Sequence, residues 1–512
     1  MSNSKVKKNI RESNINKMEE EGDMKNNKEI TRRADDYSQW YLDVIAAAGL
    51  ADNSPVRGCM VIRPSGYAIW ERIQSILDGM FKKTGVENAY FPLLIPISFL
   101  AREAEHVEGF AKECAVVTHH RLETDSRGNL VPAGRLEEPF IIRPTSETIM
   151  YEMYSKWIKS HRDLPLLINQ WCNIMRWELR TRPFLRTTEF LWQEGHTAHA
   201  TRDEAEARAI QMLEVYRIFS EEFMAMPVIS GKKSKSETFA GADHTYTIEA
   251  MMQDGKALQS GTSHLLGQNF AKPFNVKFLD QDGKEKYVWQ TSWGVSTRLI
   301  GGLIMTHSDD QGLVIPPRLA PIHVVMVPIW ASAEEQAKVL PEAEKLAEKV
   351  RQLGYVVKID DRDMRPGPKF YEWEKKGIPV RIEIGPKDVA KQSVMIVRRD
   401  TGEKQSIGMD QAPEHVSSLL DRIQKNLFAK ALKFREDNTR EVDDWEAFKK
   451  ALEERGGFIK AHWCGDAACE ERVKEETKAT IRCIPFDQKK EAGKCLICGG
   501  KSEGRVLFAK AY

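Results

Sequence analysis

The residues with most chemistry to offer are crowded between Arg176 and His199, a stretch holding four arginines, three glutamates, two tryptophans and two phenylalanines. An arginine fork can hold a phosphate by paired charge-assisted hydrogen bonds, and an aromatic ring offers a face on which a base can stack. The frame Arg176-x-Glu178, then Arg186-x3-Phe190-x3-Glu194, reads as two strands joined by a basic loop. Alternate strand residues share a face, which predicts Arg176 and Glu178 in one pocket. The plain alternative is a salt-bridged hairpin on a solvated surface, so the rest of the chain must decide.

Other polar clusters sit among apolar residues. Thr145, Ser146 and Glu147 follow an apolar strand where a helix begins, although Thr or Ser before Glu is also common helix capping. Gln259, Thr262 and His264 could line a pocket from one strand, and Ser296 and Arg298 stand beside another apolar run. Cys464-x4-Cys469, twenty-five residues, then Cys495-x2-Cys498 is a two-knuckle thiolate frame. Tetrahedral Zn2+ suits such a set, in a closed and therefore structural site, with His462 and Cys483 as alternative ligands. Neither a glycine-rich phosphate loop nor a dinucleotide fingerprint is present. Lys232-Lys-Ser-Lys-Ser236 matches a nucleotide-binding loop of class I synthetases but lacks its partner motif. It is expected to be a solvated charged loop.

The elements that must position these groups follow from periodicity. Helices are predicted over 30–50, 67–84, 201–224 and 294–305, and strands over 56–62, 89–96, 140–144, 166–176, 238–252, 256–270 and 287–292. Few of them alternate strand–helix–strand, which suits an antiparallel sheet flanked by helices up to about residue 320. After Pro316-Pro317 the pattern changes to a near-continuous apolar strand at 322–327 and further strands at 355–359, 380–384 and 393–398, with helices over 333–353 and 367–376. That is an α/β unit with a parallel or mixed sheet. A further helical stretch reaches about Lys449, and the cysteine-bearing tail runs from Gly457. The class is thus α+β, divided as 1–33 (a flexible polar extension), 34–320, 321–430 and 431–512.

Composition bounds the partners. With 76 basic and 75 acidic residues the net charge is +1, so any nucleic acid must be held by a local patch. Cysteines crowded in one tail suit a reduced compartment with one metal site, which predicts a cytoplasmic setting. No apolar run is long enough to span a bilayer.

Taken together, these residues resemble class II aminoacyl-tRNA synthetases, and specifically the prolyl-tRNA synthetases of the archaeal and eukaryotic cytosolic type. The likeness covers about residues 30–512. It rests on Pro144-Thr-Ser-Glu147, Phe184-Leu-Arg-Thr-x-Glu-Phe-Leu-Trp-Gln-Glu-Gly-His196 and Gly261-Thr-Ser-His264. It implies that Thr145, Glu147, Arg176, Trp192, Glu194 and His264 meet proline, with Phe239 a further contact. It also implies that Arg176, Glu178, Arg186, Thr187, Gln259, Thr262, Ser296 and Arg298 meet ATP and Mg2+, with Phe190 stacked on adenine. The implied reaction forms prolyl-adenylate and then prolyl-tRNA(Pro), with Arg176 and Arg298 stabilising charge. Residues 321–430 resemble an anticodon-binding domain in which Glu374, Arg381, Lys387 and Asp388 read guanines. The Zn2+ tail and the terminal Tyr512 belong to the same type. A homodimer is implied, with Pro92 at its interface. Too few residues separate the Arg176–Glu194 motif from Gln259 for the large editing insertion of bacterial-type enzymes, so no proofreading in cis is expected. The rivals are a paralogue serving another amino acid or acceptor, and an RNA-binding protein with a dead core. Arg176, Glu178 and Arg298 standing together argues against the second.

Overall fold

The computed structural model describes residues 29–101, 114–454 and 456–512. Most of the extension expected over 1–33 lies outside these. Its last residues are tied down: Thr31 donates to Asp43, and Arg33 pairs with Asp310 at 3.0 Å.

The chain builds one long sheet. Its centre is an antiparallel run of β1 (Leu166–Met175), β2 (Glu189–His199), β3 (Val228–Lys232), β4 (His244–Met251), β5 (Ala257–Gly267) and β6 (Trp289–Ser296). The spatial order is β3-β4-β5-β6-β2-β1. Helices α1 (Pro64–Lys82), α2 (Arg202–Ile218) and α3 (Arg298–His307) cover one face. Every second residue of β2 and β6 turns to those helices, where Trp293 packs on Phe81 at 4.9 Å and Tyr216 reaches Gln193. Gly195 is required beneath that indole, because an added Cβ would lie 2.1 Å from the Trp293 ring.

The strands of the cysteine-bearing tail continue this sheet. They are β7 (Phe458–His462), β8 (Thr480–Pro485) and β9 (Arg505–Ala509). β8 pairs antiparallel with β3 through Ile484↔Lys232, giving eleven strands in all. Residues 324–408 form a second, five-stranded mixed sheet, covered by the helices Ala333–Gln352 and Ala412–Asp437. The strands Val380–Ile384 and Ser393–Arg398 fall where periodicity puts them. Helix Pro386–Lys391, strand Lys404–Gly408 and most of the hairpin Val116–Ile142 have no counterpart in that reading.

Four local expectations are corrected. The helix read from Tyr67 begins at Pro64, because proline at the first helical position has a preset φ and no N–H to waste. The strand read over 89–96 is confined to Leu94–Pro96. Before it, side chains replace the ladder: Gln170 accepts from the Phe91 N–H at 2.9 Å, and Arg143 donates to the Phe91 carbonyl at 2.6 Å. The helix read from Gly294 starts at Arg298, since β6 keeps its register with β2 as far as Ser296. Finally, Arg176 and Glu178 do not share a strand face. β1 ends at Met175, and residues 182–186 close their own turn, with Arg182 and Arg186 exchanging backbone hydrogen bonds.

Candidate functional site

The open face of the sheet carries a cleft of about 280 Å³. Period two decides its lining: Phe190, Trp192, Glu194 and His196 all project into it from β2. Register then aligns Glu194 with Gly294 and Thr262, and His196 with Ser292 and His264. At the centre of that row Gly294 contributes no side chain, which leaves the floor open between Glu194 and Thr262.

One end of the cleft gathers acids, histidines and rings. Thr145 and Glu147 stand at the start of helix Glu147–Trp157, with the Thr145 hydroxyl donating to the Glu147 carboxylate. Buried Glu194 accepts from Ser146, from Gln170 at 2.7 Å and from His196 at 3.1 Å. Burial alone would raise the Glu194 pKa, but these hydrogen bonds and the His196 charge outweigh it and hold the carboxyl below the ordinary range. His196 is correspondingly raised: burial opposes its charge, while its bond to Glu194 and the charges of Glu147 and Glu194 favour it. His264, by contrast, is pushed down to about 3 by burial and then by His196, so it stays neutral. Its Nδ1 meets the Thr245 hydroxyl at 2.9 Å, and its ring lies 4.6 Å from that of Phe239. Trp192 donates its indole N–H to the Cys172 sulfur at 3.2 Å, which fixes the plane of that wall.

The other end is cationic. The Arg176 guanidinium lies 5.8 Å from the Phe190 ring and 5.3 Å from Trp192, and its Nε donates to the Pro144 carbonyl at 3.0 Å. Burial lowers its pKa, with Glu147 and Glu194 pulling the other way. Arg298 opens α3, where its backbone N–H donates to the Ser296 hydroxyl at 3.2 Å and its Nε to the Leu185 carbonyl at 3.2 Å. It is lowered to about 10 by burial and by the neighbouring charges of Arg186 and Arg176. Arg176 and Arg298 in the cleft, with Arg186 on the adjoining loop, gather positive charge that makes a ready seat for a polyanion. Gln259, Thr262 and Ser296 line this cleft as well. Glu178, Arg186 and Thr187 are not part of its lining. Glu178 stands 3.7 Å from Arg186 on the adjoining loop, and Thr187 donates to the Glu189 carbonyl.

Sequence reasoning named Ser146 only as part of a helix-start cluster, and did not single out Gln170, Cys172, Thr245 or His196. Of these, His196 alone had a signal, two residues beyond Glu194 on the same strand face. Its raised pKa fixes the sign of a pH effect. A group raised on folding stabilises fully below its unfolded value, near 6.5, and loses that contribution as pH climbs through the folded value. A His196→Phe variant should therefore melt below wild type at pH 6 by roughly 1–3 kcal/mol of stability. The gap should narrow at alkaline pH; a gap that widened would contradict the pairing.

Away from the cleft, Glu374 and Arg381 share a small hollow with Arg398 and Arg399. Arg381 is braced by Glu383 at 2.9 Å and stacked over Phe370. Lys387 and Asp388 begin helix Pro386–Lys391, just beyond the strand carrying Arg381; Lys387 is exposed, while Asp388 already accepts from the Gly385 N–H at 2.8 Å.

The sulfurs of Cys464, Cys469, Cys495 and Cys498 lie within 4.8 Å of one another, with two pairs at 3.7 Å. A tetrahedron with Zn–S bonds of about 2.3 Å has edges of ~3.8 Å, so the thiol set fits that ion. Cys483 is fully buried beneath Gly231, and His462 is held by Ser502; neither joins the cluster. The solvated loop read at 232–236 is half wrong. Lys235 and Ser236 are exposed, but Lys233 is buried on Glu249 at 2.9 Å and Ser234 donates to Glu470 at 2.6 Å. The carboxylate supplies the partner that lets a lysine enter the interior.

Three family descriptions match successive parts of the chain. "tRNA synthetase class II core domain (G, H, P, S and T)" matches residues 132–307, "Anticodon binding domain" 323–419, and "Prolyl-tRNA synthetase, C-terminal" 445–512. The chain is 60% identical over 489 residues to a proline–tRNA ligase of Porphyromonas gingivalis, covering 95% of this chain and 99% of the relative. It is 61% identical over 489 residues to that of Parabacteroides distasonis, with the same coverage. With that of Flavobacterium johnsoniae it shares 58% over 490 residues, 95% of this chain and all of the relative.

Proposed function

The chain belongs to the prolyl-tRNA synthetases, class II enzymes that join proline to tRNA(Pro) at the expense of ATP, and from that premise we propose how its residues divide the work. Proline would lie at the acidic end of the cleft. Glu147 and Glu194 face its secondary ammonium, while Trp192 and Phe239 wall its ring, with His264 as a neutral polar edge and Thr145 orienting Glu147. ATP would take the cationic end, its adenine on Phe190 and its phosphates beside Arg176 and Arg298. Gln259, Thr262 and Ser296 would hold the nucleoside, and Glu178, Arg186 and Thr187 would reach it from the loop.

The proline carboxylate oxygen then attacks the α-phosphorus in line, forming prolyl-adenylate as pyrophosphate leaves. A hydroxyl of the terminal adenosine of tRNA next attacks the prolyl carbonyl, and AMP departs. No side chain becomes acylated; the protein contributes alignment and fixed positive charge. Mg2+ bound with ATP would neutralise part of the phosphate charge.

The observation that carries this reading is the place of Arg176, under the charges of Glu147 and Glu194 and against Phe190 and Trp192. A group standing between an acid pocket and an aromatic shelf can serve both reactants at the atoms that join. Proline-dependent ATP–pyrophosphate exchange, run beside a panel of amino acids, tests it. Proline should drive exchange far above the others, and exchange driven better by another amino acid would move the chain to a paralogous specificity.

The same reading assigns 34–320 to catalysis, 321–430 to the anticodon through Glu374, Arg381, Lys387 and Asp388, and 431–512 to a structural Zn2+ on the four clustered cysteines. It takes the architecture as the archaeal and eukaryotic type although the relatives are bacterial. In support, residues 200–258 are spent on α2, a following π-turn, β3 and β4, without an inserted editing unit. A homodimer is part of the proposal, supported by exposed Tyr90, Leu94, Ile97 and Trp157 around Pro92. No helix among the described residues is long and apolar enough to cross a membrane. We place the enzyme in the cytoplasm, where its tRNA is.

A further inference from the structure

A buried charge cluster lies just past the cationic end of the cleft, and the adenylation chemistry above does not use it. Glu249 on β4 is fully buried. Its Oε1 accepts from Lys233 at 2.9 Å and from Thr247 at 2.9 Å. Its Oε2 accepts from Arg482 Nε at 3.0 Å. Arg482 belongs to β8, in the C-terminal segment, and both cations are themselves almost wholly buried. Two cations thus enclose one anion.

The cluster shares a face with the cleft. Thr245 lines the cleft, and Thr247 and Glu249 follow it at alternate positions of the same strand, with Thr247 bonded to Glu249. Gln259, which also lines the cleft, is the cross-strand partner of Glu249. Arg298 feels the charges of both Glu249 and Arg482. Among the described residues, no group accepts from the terminal nitrogens of Arg298; its Nε alone is engaged, by Leu185. A buried carboxylate oxygen left without its donor is costly and recruits whatever cation has donors to spare.

We propose that Arg482 is a positioning residue for ATP: by occupying Glu249 it keeps that carboxylate from drawing Arg298 away from the nucleotide. The C-terminal segment thereby sets the ATP affinity of the catalytic core. This rests on the reading of Arg298 as a phosphate ligand.

The test is a pair of variants in the full-length protein, Arg482→Met and Arg482→Met with Glu249→Gln, assayed by ATP–pyrophosphate exchange. The single variant should raise the KM for ATP by about tenfold, the scale of one charge–charge interaction across ~10 Å of partly screened protein. Its KM for proline should stay within about twofold, because the effect is on nucleotide binding alone. Adding Glu249→Gln removes the competing anion, so the KM for ATP should return toward wild type. A merely structural role predicts the opposite, a double variant worse than the single. An unchanged KM for ATP in Arg482→Met, a parallel rise for both substrates, or a double variant without recovery each overturns the proposal. If Arg482→Met does not fold, Arg482→Gln keeps a donor to Glu249 without the charge and carries the same comparison. Arg298→Ala, measured alongside, separates the two ideas: if it leaves the KM for ATP unaltered, the phosphate-ligand reading fails first.

Discussion

Replacing Arg176 by alanine should cut kcat for ATP–pyrophosphate exchange by ~100- to 1,000-fold, the cost of deleting one preorganised group aimed at developing charge. The expectation follows from where the guanidinium is held. Its Nε is committed to the Pro144 carbonyl at 3.0 Å, and its face lies 5.3 Å from Trp192. It is therefore set in place before substrate arrives and spends no reorganisation energy during the reaction. Burial costs it solvation, and the carboxylates Glu147 and Glu194 return part of that cost. A buried arginine kept charged in this way acts on a phosphate far more strongly than one in water. Lysine should not rescue the loss, since a point charge on a flexible stem can neither make a fork nor lie flat against two rings. The loss should fall mainly on kcat, because an interaction made only as charge develops lowers kcat and kcat/KM together. Exchange is to be measured beside a thermal melt, so that unfolded protein is not scored as inactive. A folded Arg176→Ala enzyme turning over within about threefold of wild type would remove Arg176 from the mechanism.

Much of this site was legible in the chain because its residues obey period two. Phe190, Trp192 and Glu194 alternate along one strand, and Thr262 and His264 along another, so a strand assignment alone puts each set on one face. The second sheet was legible for a related reason: Val380–Ile384 alternates apolar and charged residues, and Ser393–Arg398 encloses a short apolar run. Cross-strand register was not legible. Gln170 meets Glu194, and Thr245 meets His264, across pairings that no local spacing encodes. Loops misled in the same way. Arg176 and Glu178 look like strand neighbours until the turn at 182–186 pulls the second away from the cleft. The segment Lys232–Ser236 misled most, since all five of its residues, three lysines and two serines, look soluble on composition grounds. What buries Lys233 is Glu249, sixteen positions on, with Arg482 from the far end of the chain. Buried ion pairs of this kind are written in three dimensions, and charge patterning along a sequence carries little trace of them.

Removing the proposed zinc should unsettle more than the tail that holds it. The four thiols come from two knuckles, one opening helix Ala467–Thr477 and the other closed by the Cys495 N–H on the Gly500 carbonyl at 2.7 Å. Trp463, Leu496 and Ile497 tie the knuckles to the tail's core, but Cys464 is half-buried and Cys498 exposed, so the four thiols themselves are not closed by packing. The ion would supply what holds the two knuckles to each other, out of the ~10–16 kcal/mol typical of structural zinc sites in small peptides. Between the knuckles runs β8, which pairs with β9 on one side and with β3 of the catalytic sheet on the other. β8 also delivers Arg482 to Glu249. At the chain's end Tyr512 docks on the core, donating to Asp254 at 2.5 Å with its ring under Lys256 and Arg182. Loosening the knuckles should thus propagate along shared strands to Glu249, beside the ATP end of the cleft. In Cys495→Ser, bound zinc should fall from about one ion per chain toward none, since three thiolates no longer close the tetrahedron. The melting temperature should drop by at least several degrees, and adenylation should be lost on warming before the rest of the chain unfolds. Hydrogen exchange should quicken in β8 and β3 together. Faster exchange confined to the knuckles, with β3 still protected, would mean that the sheet stands without the metal. Zinc content unchanged by Cys495→Ser would remove Cys495 from the ligand set.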